Sequence, residues 1–270
     1  SRAAISHQIR QLEAKLGVPL LRRSTRTFSL TDAGARYYDS CRTITLEAEA
    51  ARKRVEELRD EPVGKISLSC SVHMGNLRIV PILSRFRQTY PGVALDVRLT
   101  DEVVDLIGQG IDIAIRSGPL RSSELKSIRL YETRRVIVAS QQYVAAFGTP
   151  NQPEDLTDHN WVMYSRVPET LRLAQGDQER KIPVSGSVQV DSATARLQFL
   201  RDGHGMAVVP FSDVADDIEN GDLMRILPDW NLPDLSVYAV YSGDVMRSSK
   251  VKTLLDFLRA QLADIDESRH

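Results

Sequence analysis

Ala3, Ser6, His7 and Arg10 follow one another at steps of three, one and three, so a helix through them carries all four on one face. The chemistry such a face can do is recognition. Small side chains permit close approach to a major groove, while hydroxyl, imidazole and guanidinium reach base edges or phosphates. Ile5, Ile9, Leu12 and Leu16 recur at steps of four, three and four and form the inward stripe of the same helix. Taken alone, the polar face reads equally well as an ordinary solvated surface. A second polar set sits at predicted strand ends: Ser71, Val72 and His73; Thr100 and Asp101; Arg116, Ser117 and Gly118; and, at a predicted helix start, Asp191, Ser192 and Thr194. Strand C-termini and helix N-termini present free backbone N–H groups, so these residues together suit a small bound molecule. Each one singly is as well explained by a cap or turn bond. Arg116 and His73 lean toward an anionic or carbonyl-bearing ligand.

Bond-making chemistry has little support. The five histidines, His7, His73, His159, His204 and His270, lack metal-ligand spacing, and no HExxH, P-loop or nucleophile elbow occurs. Cys41 and Cys70 form no CxxC pair. No metal, cofactor or catalytic residue is expected. Asp202-Gly-His-Gly205 reads as a turn into a buried strand rather than a phosphate loop.

Around the first helix the pattern becomes specific. Gly17 supplies a stop and Pro19 prevents continuation; Leu20 to Arg23 and Thr27 to Leu30 then make two short strands about Ser24-Thr25-Arg26. Such a hairpin is a wing whose Arg22, Arg23 and Arg26 can meet phosphates or a minor groove. Through Arg36 there are seven basic and two acidic side chains, although the whole chain carries a net charge of -1. Basic charge is thus concentrated where a polyanion would bind.

Thr31 is placed to cap a long helix running to about Arg59. Tyr37, Cys41, Ile44, Ala48, Ala51, Val55 and Leu58 alternate steps of four and three along it, a heptad seam that predicts a dimerisation helix. An amphipathic helix lying on its own domain is the alternative. Pro62 and Gly64 then form a hinge at 61–64. Beyond it strand-like segments (65–71, 93–100, 111–116) alternate with helical ones (76–90, 102–109), and a second α/β series follows to a last helix over 248–263. Alternation of this kind predicts largely parallel, covered sheets. Composition is ordinary for a soluble protein, with 42% hydrophobic and 26% charged residues in 270. Two unpaired cysteines, and the lack of an apolar run long enough for a bilayer, make a cytoplasmic protein with no membrane partner the expectation.

The string SxxAISHQIRxLExxLGVxLLxR, followed by TRxxSLTxAG, resembles the LysR-type family of bacterial transcriptional regulators, and the later segments fit as well. The resemblance implies an α/β chain in which a partial winged helix-turn-helix (1–31) is followed by a linker helix (32–60). After the hinge comes a two-lobed effector domain of periplasmic-binding-protein type at 65–267, with lobe I at 65–136 and 241–267 and lobe II at 137–240. The family's first helix and most of its second are missing, so the full protein is expected to begin a few dozen residues earlier. By the resemblance Arg2, Ala3, Ala4, Ser6 and His7 contact DNA, with Arg26 on the wing. His7 departs from the arginine that members often carry there. Thr100 and the Ser71 to His73 loop match effector-contacting positions. The implied partners are double-stranded DNA carrying an inverted repeat, a small effector, and further copies of the chain in a homodimer or homotetramer. A binding protein without DNA function and an enzyme are the rival classes.

Overall fold

The computed structural model describes residues 2–23, 28–56, 62–118, 125–165, 169–243 and 245–267. They fall into two compact units, Ser1–Arg59 and Asp60–His270.

In the first unit α1 (Arg2–Leu16) ends where Gly17 turns into the left-handed region at φ 73° and donates its N–H to the Glu13 carbonyl at 2.9 Å. Glu13 also reaches forward. Its carboxylate accepts from the Leu20 and Leu21 amides at 2.8 and 3.1 Å, which fixes the start of β1 (Leu21–Arg23) against the helix end. That strand pairs antiparallel with β2 (Phe28–Leu30), Leu21 opposite Leu30. Thr31 then does two jobs: its hydroxyl donates to the Pro19 carbonyl at 2.7 Å and accepts the Gly34 amide at 2.9 Å, capping α2 (Asp32–Glu56). Of the predicted inward stripe, Ile5 stays 58% exposed and Leu16 41%, with Ile9 and Leu12 half-buried, so this chain covers the stripe only in part. On the predicted seam Tyr37 and Cys41 are half-buried, while Ile44, Ala48 and Ala51 are exposed; Leu58 lies outside the described residues.

The second unit has two lobes. In lobe I, β3 (Gly64–Cys70) leads into a continuous helical run made of α3 (Val72–Met74), a π turn (Gly75–Ile79) and α4 (Val80–Thr89). Next come β4 (Val93–Leu99), β5 (Ile113–Ser117) and β6 (Lys126–Thr133). The helix expected over 102–109 does not form. Asp105 instead accepts the Gly108 amide on its side chain at 2.9 Å, and the glycines at 108 and 110 favour turns over helix.

Lobe II opens with β7 (Arg135–Ser140), one residue after β6, and α5 (Gln141–Phe147). It continues through β8 (Val162–Tyr164), the hairpin β9 (Thr170–Gln175) and β10 (Gln178–Pro183), β11 (Val188–Val190), α6 (Ala193–Arg201), β12 (Ala207–Pro210), α7 (Ala215–Glu219) and β13 (Leu223–Ile226). The chain returns to lobe I as β14 (Leu235–Tyr241) and closes with α8 (Ser249–Glu267).

The lobe I sheet has the order β4-β3-β5-β14-β6, with β3 parallel to β4 and β5 but β14 antiparallel to both neighbours. In lobe II, β7 lies between β12 and β13 and runs antiparallel to both. The expected largely parallel arrangement therefore holds only for β4-β3-β5 and the short β8/β11 pair. The departures come where the chain passes between lobes: β14 returns from lobe II to pair antiparallel with β5 and β6, and β7 leaves lobe I to pair antiparallel with β12 and β13. The membership of β14 in the lobe I sheet also moves the second lobe crossing from 240/241 to the residues just before Leu235.

Alternating positions of β7 explain how lobe II holds together. Val136 and Val138 pack with Leu197, Leu200 and Val209, whereas Ile137 and Ala139 pack with Trp161, Leu156 and Val208. A strand covered on both faces reads as the unbroken apolar run it is. Lobe I buries Ile66, Leu68, Ile113 and Ile115 under Phe86 and the Val251, Leu254, Leu258 and Leu262 stripe of α8.

Candidate nucleic-acid interface and ligand cavity

Within the first unit, Ala4, Ser6, His7 and Arg10 are all exposed on α1. Their internal contacts are local: Arg10 donates to the Ser6 carbonyl at 3.3 Å, and the His7 ring nitrogen lies 3.1 Å from the Gln11 amide nitrogen. The backbone carries Arg2 and Ala3 on the same helix and Arg23 at the end of β1. Arg22 sits 3.7 Å from Asp32 in a fully exposed pair worth little. Arg26 lies outside the described residues.

Within the second unit, a cavity of about 360 Å³ opens between the lobes. Seven of the eleven expected ligand residues line it: Ser71, His73, Thr100, Asp101, Arg116, Ser117 and Gly118. They gather there because β3, β4 and β5 are parallel and end on the same side. The other four do not line it. The Val72 amide is taken by the Asp101 carboxylate at 3.2 Å, and the Ser192 hydroxyl caps α6 by accepting the Ala195 amide at 3.3 Å. Asp191 and Thr194 are exposed. Helix α6 is turned so that Ala193 and Arg196, one turn apart, face the cavity instead.

Lobe II and the crossings supply what sequence reasoning missed: Tyr164, Arg196, Ser212 and Asp213, with Thr133 and Arg135 on either side of the first lobe crossing. Arg78 joins them from lobe I, carried on the π turn, a feature that often marks functional positions. Arg78 donates to the Ser212 carbonyl at 3.1 Å and to Asp213 at 3.2 Å. His73 Nε2 approaches the other Asp213 oxygen at 3.3 Å, an electrostatic contact off the hydrogen-bond direction. Burial works to raise the Asp213 carboxyl, but the His73 and Arg78 contacts outweigh it and hold the group below its ordinary value. Arg116 donates to the Ile115 carbonyl at 2.8 Å and the Ser69 hydroxyl at 2.7 Å, and Arg135 to the Pro233 carbonyl at 2.6 Å. The Arg196 guanidinium is stacked over the Tyr164 ring, 4.7 Å from its centroid. Burial pulls it down to about 10, with Tyr164 and Asp213 opposing, so it stays protonated at neutral pH. The turn at 202–205 is a turn, with Gly203 and Gly205 at φ 80° and 153°.

Among the described residues no group of histidine, cysteine or carboxylate side chains could hold a metal ion, and no helix is long and apolar enough to cross a membrane.

A recognition helix with a wing, and a two-lobed domain with a cavity at its strand ends, define a DNA-binding regulator that carries its own ligand-binding domain. Comparison with known proteins makes the class specific. Residues 59–263 match the LysR substrate binding domain, and residues 1–35 match the bacterial regulatory helix-turn-helix of the lysR family. The chain belongs to the LysR family of transcriptional regulators. It is 31% identical over 266 residues to the HTH-type transcriptional activator AaeR of Escherichia coli K12, covering 97% of this chain and 86% of that protein. It is also 31% identical over 264 residues to the regulator PtxR of Pseudomonas aeruginosa, covering 97% and 85%. The structure of CrgA, a LysR-type regulator from Neisseria meningitidis, superposes with a TM-score of 0.67 at 28% identity over 97% of this chain and 90% of that one. The Vibrio cholerae virulence activator AphB, at 24% identity and a TM-score of 0.73 over 96% and 89%, shares the fold. The relatives are transcriptional regulators, and the protein is a regulator rather than an enzyme.

Proposed function

We propose that the protein reads an inverted-repeat site in double-stranded DNA as a homodimer or homotetramer, and that a small anionic or carbonyl-bearing effector in the interlobe cavity controls it. The observation that carries the effector half is the cavity itself, polar groups from both lobes converging on a space of about 360 Å³, within the usual size of small-molecule sites. Support for the DNA half comes from the exposed Ala4, Ser6, His7 and Arg10 face of α1 together with the helix-turn-helix match at 1–35. Two recognition helices related by a two-fold axis match the symmetry of an inverted repeat. The seam of α2 is the element assigned to pairing. Effector binding changes the angle between lobes and hence the spacing of the DNA-binding pairs, provided that it binds one lobe arrangement more tightly than the other.

The test is a mobility-shift series with the full-length protein on the DNA upstream of its own gene, across salt concentrations. Sequence-preferring, salt-sensitive binding is expected; binding that is indifferent to sequence overturns the reading. Thr100→Val and Ser71→Ala should abolish an effector response and spare DNA binding.

A further inference from the structure

We propose that Arg196 is the charge receptor of the interlobe cavity and that its ligand is a small organic anion, a carboxylate on an apolar body; the inference rests on the effector-cavity reading above.

Four guanidinium groups line the cavity, those of Arg78, Arg116, Arg135 and Arg196, against two carboxylates, Asp101 and Asp213. Arg78, Arg116 and Arg135 each make side-chain hydrogen bonds to the protein. Arg196 is different. It is only 7% exposed, its buried Nε has no hydrogen-bond partner, and no carboxylate lies within ion-pairing distance among the described residues. Asp213, the nearby acid, is engaged by Arg78 and His73.

A buried, permanently charged group without a counter-charge is costly to a folded protein. The cation–π contact with Tyr164 offsets part of that cost. A guanidinium is a rigid fork of N–H donors matched to the two oxygens of a carboxylate. Position reinforces the assignment: Arg196 stands in the first turn of α6, whose N-terminal residue Ala193 also lines the cavity, so the positive end of the helix faces the same space. The remaining wall selects for carbon. Met74, Tyr131, Val208, Leu235 and Val237 line it, and a bare inorganic ion would leave that surface unfilled.

The experiment uses the full-length protein, with calorimetry and thermal melts against monocarboxylates from acetate to benzoate and cinnamate. Each is paired with its primary amide, and sodium phosphate and sulfate are run alongside. At least one carboxylate should bind, its amide at least tenfold more weakly. Arg196→Met should weaken that carboxylate about a hundredfold, Arg196→Lys less. In the absence of ligand Arg196→Met should melt no lower than the parent, since an unpaired buried charge has been replaced by an apolar chain of similar length. A carboxylate and its amide binding equally, an inorganic anion binding in preference to every carboxylate, or unchanged affinity in a folded Arg196→Met protein overturns the proposal. In those cases binding that Thr100→Val still abolishes leaves the cavity reading standing. If neither carboxylates nor amides bind, both fall.

Discussion

Arg78 and Asp213 meet across the interlobe cavity, Nη2 to Oδ1 at 3.2 Å, with the arginine on lobe I and the aspartate on lobe II. Both side chains are less than 15% exposed, and Arg78 also holds the Ser212 carbonyl. The pair is a latch between lobes, and breaking it leaves an uncompensated buried charge. Asp213→Ala should therefore destabilise the protein by about 3 kcal/mol and widen the cleft, seen as a lower melting temperature and a larger radius of gyration in X-ray scattering. An unchanged melt would show that the contact contributes nothing.

The same latch carries a pH signature. Asp213 is held below its ordinary 3.8 in the folded protein. A depressed acid contributes stability that is fully present above the unfolded value and is lost as pH falls through the folded one. The gap in melting temperature between the parent and Asp213→Asn should close progressively as pH falls below about 4. A gap that did not narrow at all over that fall would assign the effect to packing rather than charge.

Arg78 and Asp213 also show where sequence reading stops. They are 135 residues apart in a contact that no local spacing encodes. The strand-end residues are legible because parallel strands end on one side, which brings Ser71, Thr100 and Arg116 together. On lobe II the helix start expected around Asp191 to Thr194 is where α6 begins, but local spacing does not fix its rotation. Ser192 went to the cap, and the residue that turned inward was Arg196, a lone charge between Ala195 and Leu197 whose apolar neighbours were the available signal. Most of β14 falls in the 137–240 range expected for lobe II, yet it pairs in the lobe I sheet, since sheet membership depends on where a returning segment pairs.

Gly34 offers a test of local packing in the first unit. Within a helix, glycine to alanine ordinarily stabilises by about 1 kcal/mol. Here a Cβ would collide with the Leu20 carbonyl oxygen, a backbone atom that no rotamer change can move aside. Gly34→Ala should instead destabilise the unit by about 1 to 3 kcal/mol, and Thr31→Ala, which removes the cap on the same turn, by about 1 kcal/mol. Chemical denaturation of the two variants beside the parent measures both, and a more stable Gly34→Ala would contradict the close approach.

Cys70 lies in β3 with no exposed surface, and burial pushes its thiol up to about 12, Arg116 and Ser71 opposing. Burial thus holds Cys70 in the thiol form, and thiolate is the reactive form. Iodoacetamide should leave Cys70 unlabelled in the native protein while modifying half-buried Cys41, and should label both after unfolding. Mass spectrometry of the native reaction decides; rapid labelling of Cys70 would mean that lobe I opens far more readily than its core implies.

The seam of α2 makes a prediction about assembly. Ile44 is 68% exposed in the single chain, a large apolar group on a helix that also carries many charged side chains. Glutamate there would set like charges against each other at the centre of a heptad interface. Ile44→Glu should halve the mass of the particle measured by light scattering, or reduce a tetramer to a smaller species, without unfolding the second unit. A variant that kept the parent mass would move the pairing surface off this face.

Assembly and DNA reading then separate by salt. Ser6 contributes no charge and Arg26 contributes one, so their removal should act on different parts of the binding energy. Arg26→Ala should weaken binding across all sequences and lower the slope of log affinity against log salt by about one, the signature of one lost phosphate contact. Ser6→Ala should leave the slope intact and relax the preference for the cognate site, with a cost of about 1 to 3 kcal/mol for a base-edge contact. Mobility shifts on cognate and scrambled duplexes at 50 to 200 mM salt, a range over which several phosphate contacts change affinity by about a thousandfold or more, distinguish the two. If Ser6→Ala weakened both duplexes equally, α1 would be gripping the backbone, and the sequence would have to be read elsewhere on the protein.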